Sequence, residues 1–218
     1  MEKTREGDLC ECGLDEAGRG PVIGPMVVAM VCATNTAMKK IGARDSKTMS
    51  PASRTKMFRE IKESASGYSY RIIGSQEINR KMETMTLNQI EEEAYISLIA
   101  DSGCECTYYV DAFDVNEDRL TSRLSSLTGK NVLCSHKADA IFPVVSAASI
   151  IAKVVRDSEI EKLKLTYGDF GSGYPSDPRT VSFLERSIAE NTDITEIVRI
   201  HWETYRRLIS HRANRRLF

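Results

Sequence analysis

The chain has 218 residues, enough for one ordinary domain with a small extension and for a real hydrophobic core. Hydrophobic residues make up 41% and charged residues 28%, a globular composition that excludes global disorder. Lys and Arg number 30 against 31 Asp and Glu, a formal net charge of −1; this excludes a histone-like basic coat but not a nucleic-acid enzyme with unevenly spread charge.

The first strand is expected over Leu9–Leu14, where apolar and polar residues alternate, ending at Asp15-Glu16. Gly18-Arg19-Gly20-Pro21 then breaks the pattern as a turn. Met26–Ala33 is almost continuously apolar and reads as a strand buried on both faces. Ser50 as N-cap and Pro51 at the first position open a helix to about Ser64. Tyr68–Ile73 is the third strand, Ser75 caps a short helix, and Leu87–Ala100 is a longer one. Thr107–Val110 is the fourth strand, ending at Asp111; Asn116 starts a helix, and Asn131–Cys134 is the fifth strand. Pro143 opens a helix to about Leu165 whose first half, VVSAASIIAKVV, is apolar almost all round and belongs in the core. A turn-rich loop, 168–178, precedes helices over Arg179–Ala189 and Glu196–Ser210.

This order predicts an α/β domain on a mixed five-stranded sheet, 1–166, with a C-terminal helical extension, 167–218, packed on it. The first two strands form a hairpin, and the later ones, joined by helical crossovers, run parallel. No run of 18 apolar residues and no apolar leader is present, so the expected location is the cytoplasm. Cys10, Cys12, Cys32, Cys104, Cys106 and Cys134 are too few for a disulfide scaffold, and two C-x-C pairs lack the C-x-x-C spacing of a zinc site. They are expected to be free thiols.

The acids carry the most information. Asp15 and Glu16 follow the first strand, Asp111 follows the fourth, and Asp139 precedes the buried helix. In open α/β sheets the crevice beyond the carboxyl ends of strands is the usual site. Carboxylates gathered there repel one another unless hard cations such as Mg²⁺ or Mn²⁺ neutralise them; a cap or turn role is the alternative for each. Alternation sends Asp15 and Glu16 to opposite faces of a regular strand, so the strand is expected to end or twist at Glu16.

Five ordered segments resemble the ribonuclease HII family: LDEAGRGPVIGPMVVA (Leu14–Ala29), RDSKTMS (Arg44–Ser50), YYVDAFD (Tyr108–Asp114), HKADAIFPVVSAASIIAKVVRD (His136–Asp157) and GSGYPSDPRT (Gly171–Thr180). The last is similar to the archaeal and eukaryotic branch. The resemblance implies a ribonuclease H-like fold and an endonuclease that hydrolyses the RNA strand of RNA–DNA hybrids. It also implies cutting 5′ of ribonucleotides in duplex DNA, by two-metal-ion hydrolysis leaving 5′-phosphate and 3′-hydroxyl ends. It assigns Asp15, Glu16, Asp111 and Asp139 as catalytic and metal-binding, with Mn²⁺ or Mg²⁺ as cofactor. Gly18, Arg19, Gly20 and Tyr174 would read the 2′-hydroxyl; for Tyr174 the alternative is a buried core tyrosine. Ser46 and Lys47, and more weakly Asn88, would touch phosphates. Ser146, Ser149 and Lys153 either line the cleft or, for the serines, simply pack.

The pattern departs from the family at His201, where serine is common; it perturbs a DNA contact or sits on the surface. His136 is a local polar residue rather than a ligand. A monomer is expected, with sliding-clamp docking through the tail Arg215-Arg216-Leu217-Phe218 weakly indicated. Two rivals stand beside this. One is a two-metal nuclease of the same architecture acting on DNA; the other is a non-catalytic duplex-binding module. Charge is indeed uneven: Glu77–Asp118 holds 11 acids and 2 bases, net −9, and Arg199–Phe218 six Arg and one Glu, net +5. The C-terminal segment is the expected foot on the phosphate backbone.

Overall fold

The computed structural model describes residues 9–42 and 49–215. The elements are β1 (Cys10–Ala17), β2 (Met26–Thr34), α1 (Asn35–Lys40), α2 (Pro51–Ser64), β3 (Gly67–Ile73), α3 (Ser75–Lys81), α4 (Leu87–Asp101), β4 (Thr107–Asp111), α5 (Glu117–Thr128), β5 (Asn131–Ser135), α6 (Ala138–Ile141), α7 (Pro143–Tyr167), α8 (Pro178–Glu190) and α9 (Glu203–Arg215). The five strands lie in the order β3-β2-β1-β4-β5. β1 and β2 are antiparallel, while β1 with β4 and β4 with β5 are parallel, the mixed sheet expected of this element order. No helix of the described residues is long and apolar enough to cross a membrane.

The chain divides into two compact units, each built from separate stretches of sequence. The first unit is Met1–Ala17, Val27–Arg71 and Glu91–Val155; the second is Gly18–Met26, Ile72–Ile90 and Arg156–Phe218. The glycine-rich turn therefore folds with the C-terminal elements rather than with the strand it follows. In the first unit, Val27, Ala29, Val31 and Ala33 of β2 share a core with Val144, Val145, Ala148, Ile151 and Ala152 of α7. Gly13 makes this packing possible, because a Cβ there would lie 2.2 Å from the Val144 carbonyl carbon. In the second unit Val22, Ile23, Phe170, Phe183, Leu184, Ile197 and Val198 form a separate core.

Three local expectations change. Ser75 is not a cap: Gly74 is, and the Ser75 hydroxyl donates to the carbonyl oxygens of Gly24 and Ile197. The last helix begins at Glu203 rather than Glu196, because Val198 bridges to Ile23 and its carbonyl accepts from Asn79. The cysteines are not all free. Cys12 and Cys32 face each other across β1 and β2 and are joined by a disulfide.

Candidate active site

β1 delivers Asp15, and β4, its parallel neighbour, delivers Asp111 at its carboxyl end. Leu14 pairs with Val110, so the acids one residue further on lie abreast. Asp15 is only 5% exposed. Burial pushes its pKa well above the carboxylate range, and the charges of Glu16 and Asp111 push it further; a hydrogen bond from Ser149 works against them. The Glu16 N–H donates to Asp15 Oδ1 at 2.7 Å. Lys153 in turn donates to Ser149 Oγ at 2.8 Å, so a cation sits two hydrogen bonds from Asp15 along α7. Ser149 is thus a site residue, whereas the buried Ser146 hydroxyl has no hydrogen-bond partner and packs.

Asp111 Oδ1 accepts the Ala138 N–H at the start of α6, at 2.9 Å. The next residue in α6 is Asp139, also buried. Glu16 behaves differently from expectation. β1 neither ends nor breaks at Glu16: its register against β2 runs unbroken to Ala17. The Tyr95 hydroxyl donates to Glu16 Oε2 at 3.0 Å, and the charges of both Glu16 and Asp15 bear on that phenol, so the two acids lie close together. Tyr95 is fully buried, its ring stacked on Phe113. Burial first, then the Glu16 charge, raises the phenol pKa well above normal and keeps it a donor. No three of the four acids bring oxygens within 4.8 Å of one another. The donor set is nevertheless all oxygen, and its charges already oppose ionisation of Asp15, which is what a hard dication would relieve.

The second unit holds the remaining candidates. Gly18 has φ +89°, and a Cβ there would lie 2.6 Å from the Pro25 carbonyl oxygen, so only glycine fits. Arg19 donates to the side-chain Oδ1 of Asn88, linking two of the expected substrate contacts. Gly20 faces the ring of Tyr174, which a Cβ would meet at 3.5 Å. Tyr174 is 40% exposed and not a core residue. The Arg156 guanidinium lies over its ring at 5.5 Å, and the buried Nε and Nη2 of Arg156 have no hydrogen-bond partner among the described residues. Ser46, Lys47 and the tail at Leu217-Phe218 lie outside the described residues.

Arg199 is the residue that sequence reasoning misplaced. It is wholly buried and so is not among the surface charges of its segment, of which Arg206 and Arg207 are exposed. Its guanidinium donates to the carbonyl oxygens of Gly18 at 2.7 Å, Gly24 at 2.9 Å and Arg19 at 3.1 Å. Burial lowers its proton affinity, and the three carbonyls hold the charged form. Trp202 packs under it at 4.8 Å and donates to the Gly20 carbonyl. Together they shape the backbone from Gly18 to Gly24. His201 bonds the Asn79 carbonyl through Nε2 and Arg206 through Nδ1, so it anchors α9 to α3. His136 contacts the Val115 carbonyl and Glu117, away from the acids.

Carboxylates at the ends of adjacent strands of a five-stranded mixed sheet define a nuclease of the ribonuclease H fold class. The comparisons sharpen this. Residues 12–205 match the family described as Ribonuclease HII. A Ribonuclease HII of Picrophilus torridus is 51% identical over 201 residues, 92% of this chain and 98% of that protein. The ribonuclease H2 of Pyrococcus horikoshii OT3 superposes with a TM-score of 0.87 at 39% identity, covering 93% of this chain and 98% of that one. Ribonuclease HII of Archaeoglobus fulgidus, solved in a complex with PCNA, gives 0.85 at 41% identity, covering 89% and 96%. The chain belongs to the ribonuclease HII family. It is a hydrolase with ribonuclease H endonuclease activity on RNA–DNA substrates.

Proposed function

We infer that the protein cuts the RNA strand of hybrids and also cleaves 5′ of single ribonucleotides in duplex DNA, leaving 5′-phosphate and 3′-hydroxyl ends. The observation that carries this is geometric: Asp15 and Asp111 lie abreast at the carboxyl ends of parallel β1 and β4, and the Ala138 N–H bonded to Asp111 brings the start of α6, with Asp139, beside them. Asp15, Glu16 and Asp111, with Asp139 completing the set, would hold a pair of divalent cations, Mg²⁺ or Mn²⁺, which would supply activation of water and stabilisation of charge at the departing 3′-oxygen.

The rest is the work of the chain. Ser149 and Lys153 orient Asp15, the Ala138 N–H orients Asp111, and Tyr95 orients Glu16. Gly18, Arg19, Gly20 and Tyr174 recognise the 2′-hydroxyl. The group both donates and accepts, so bare backbone at glycine suits it. The exposed Tyr174 ring beside Gly20 supports the role. Ser46 and Lys47 contact phosphates, and the tail docks on a sliding clamp, as the relative solved with PCNA suggests.

The test is cleavage-site mapping on a duplex with one ribonucleotide, in Mg²⁺, Mn²⁺ or EDTA, against an all-DNA duplex. A cut 5′ of the ribonucleotide that EDTA abolishes is expected. Cleavage of the all-DNA control at a similar rate would overturn the sensing role. Tyr174→Ala should lose far more activity on this substrate than it loses in thermal stability.

A further inference from the structure

Asp15 and Glu16 lie at the carboxyl end of β1; its amino end carries sulfur. Cys12 and Cys32 are cross-strand partners in β1 and β2. The loop before β4, turned by Gly103 at φ 64°, brings Cys104 and Cys106 to them. The Sγ atoms of Cys12, Cys32 and Cys104 all lie within 4.8 Å of one another. Cys106 Sγ lies 3.4 Å from Cys12 Sγ. A tetrahedral cage with metal–sulfur bonds of about 2.3 Å spaces its sulfurs about 3.8 Å apart. Cys12, Cys32 and Cys104 are already gathered near that spacing, and Cys106 joins the cluster through Cys12. A surface pocket lined by Cys10, Glu11, Cys104, Cys106 and Lys130 gives an ion a way in.

We propose that, once the Cys12–Cys32 bond is reduced, Cys12, Cys32, Cys104 and Cys106 form a thiolate site for one divalent cation of the zinc type. A dithiol supplies the two electrons and two protons: the S–S bond breaks, two thiols form, and the dithiol closes to its own disulfide. Each of the four thiols then gives a proton to solvent as the cation binds. The site is separate from the carboxylates. Cys12 and Asp15 are three residues apart on an extended strand, about 10 Å, and their side chains alternate to opposite faces. Its preference is separate too, since thiolates select zinc-like ions and carboxylates select Mg²⁺ or Mn²⁺. Its role is to tie β2, β1 and the entry of β4 together at the sheet end remote from the acids.

The full-length protein, reduced with dithiothreitol and desalted without oxygen, is titrated with Co²⁺. Thiolate-to-cobalt charge-transfer absorption and strong visible bands of tetrahedral Co²⁺ should saturate near one equivalent and disappear on adding Zn²⁺. The Cys104→Ser/Cys106→Ser double variant should lose these bands, and Asp111→Asn should keep them. In the wild type, Zn²⁺ should protect about four thiols from a thiol-reactive dye. That count decides alone if the double variant does not fold. Absence of the bands from the reduced wild type, their survival in the double variant, or a Cys12–Cys32 bond that resists the dithiol each overturns the proposal. The last result makes the cluster a disulfide staple.

Discussion

Replacing Arg199 is the sharpest test of how the Gly18–Gly24 backbone is held. Arg199→Ala removes three charge-assisted hydrogen bonds of 2.7, 2.9 and 3.1 Å from a fully buried side chain. Each orphaned carbonyl costs about 1–3 kcal/mol. Water entering the space left behind satisfies some of them, and losing the buried charge returns part of its desolvation cost, so a net loss of about 3–5 kcal/mol follows. In a domain of this size each kcal/mol moves Tm by about 2–4 °C, which places the drop at about 6–20 °C. Arg199→Lys keeps the charge but cannot span three carbonyls with one ammonium, and recovers only part of the loss. Arg207→Ala, exposed on α9, stays within about 0.5 kcal/mol. Thermal denaturation of the three variants gives the ranking. Cleavage of a single-ribonucleotide duplex well below every Tm should show Arg199→Ala impaired while Arg207→Ala retains the shape of its turn. A Tm for Arg199→Ala within about 2 °C of wild type would refute the argument, because three buried carbonyls cannot lose a shared donor at so little cost.

Other consequences concern the acids and the turn. Tyr95→Phe deletes only the donor to Glu16 Oε2; the half-saturating Mn²⁺ concentration should rise about 10-fold or more, and an unchanged midpoint in a metal titration of activity would remove Tyr95 from the site. Asp15 has a folded pKa above its unfolded one, chiefly through burial. The folded state therefore binds the extra proton, and the contribution of Asp15 to stability in EDTA is full below the ordinary carboxylate range and is lost as pH rises through the folded pKa. Asp15→Asn should flatten that slope and raise Tm in EDTA while abolishing metal-dependent cleavage; an unaltered slope in pH-resolved melts counts against the coupling. Gly18→Ala puts a Cβ at φ +89° against the Pro25 carbonyl, so a loss of about 1–3 kcal/mol is expected by denaturant melt. Wild-type stability there would show that the turn can relax.

Much of this was legible in the chain because the signals are local. Asp15 and Asp111 stand where apolar strand sequence stops, and that position alone flags them. The apolar run after Pro143 needed no tertiary information to be read as a buried helix. What was hidden depends on register and long-range closure. Tyr95 sits in an apolar stripe of α4 and looks like core; only its hydroxyl, meeting Glu16 from 79 residues away, reveals its role. Arg199 lies in an Arg-rich segment and was counted as surface charge. The C-x-C pairs failed a spacing rule written for a single loop, whereas the sheet assembles sulfurs from two strands and a loop. Glu16 shows the reverse error: the strand carries on in register to Ala17, so Glu16 comes beside Asp15 without the strand ending there.

The bond from Arg199 to the Gly18 carbonyl spans 181 residues of chain. Synthesis at about 5–20 residues per second separates the emergence of these two groups by about 10–35 s. In the last third of that interval, once Asp139 is made, the nascent chain has all four acids but still lacks Arg199, the clamp of the Gly18–Gly24 backbone. A chain ended between Asp139 and Arg199 carries the four acids but leaves the Gly18, Arg19 and Gly24 carbonyls without their shared donor, so the shape of that turn is fixed last, with nearly the whole polypeptide made.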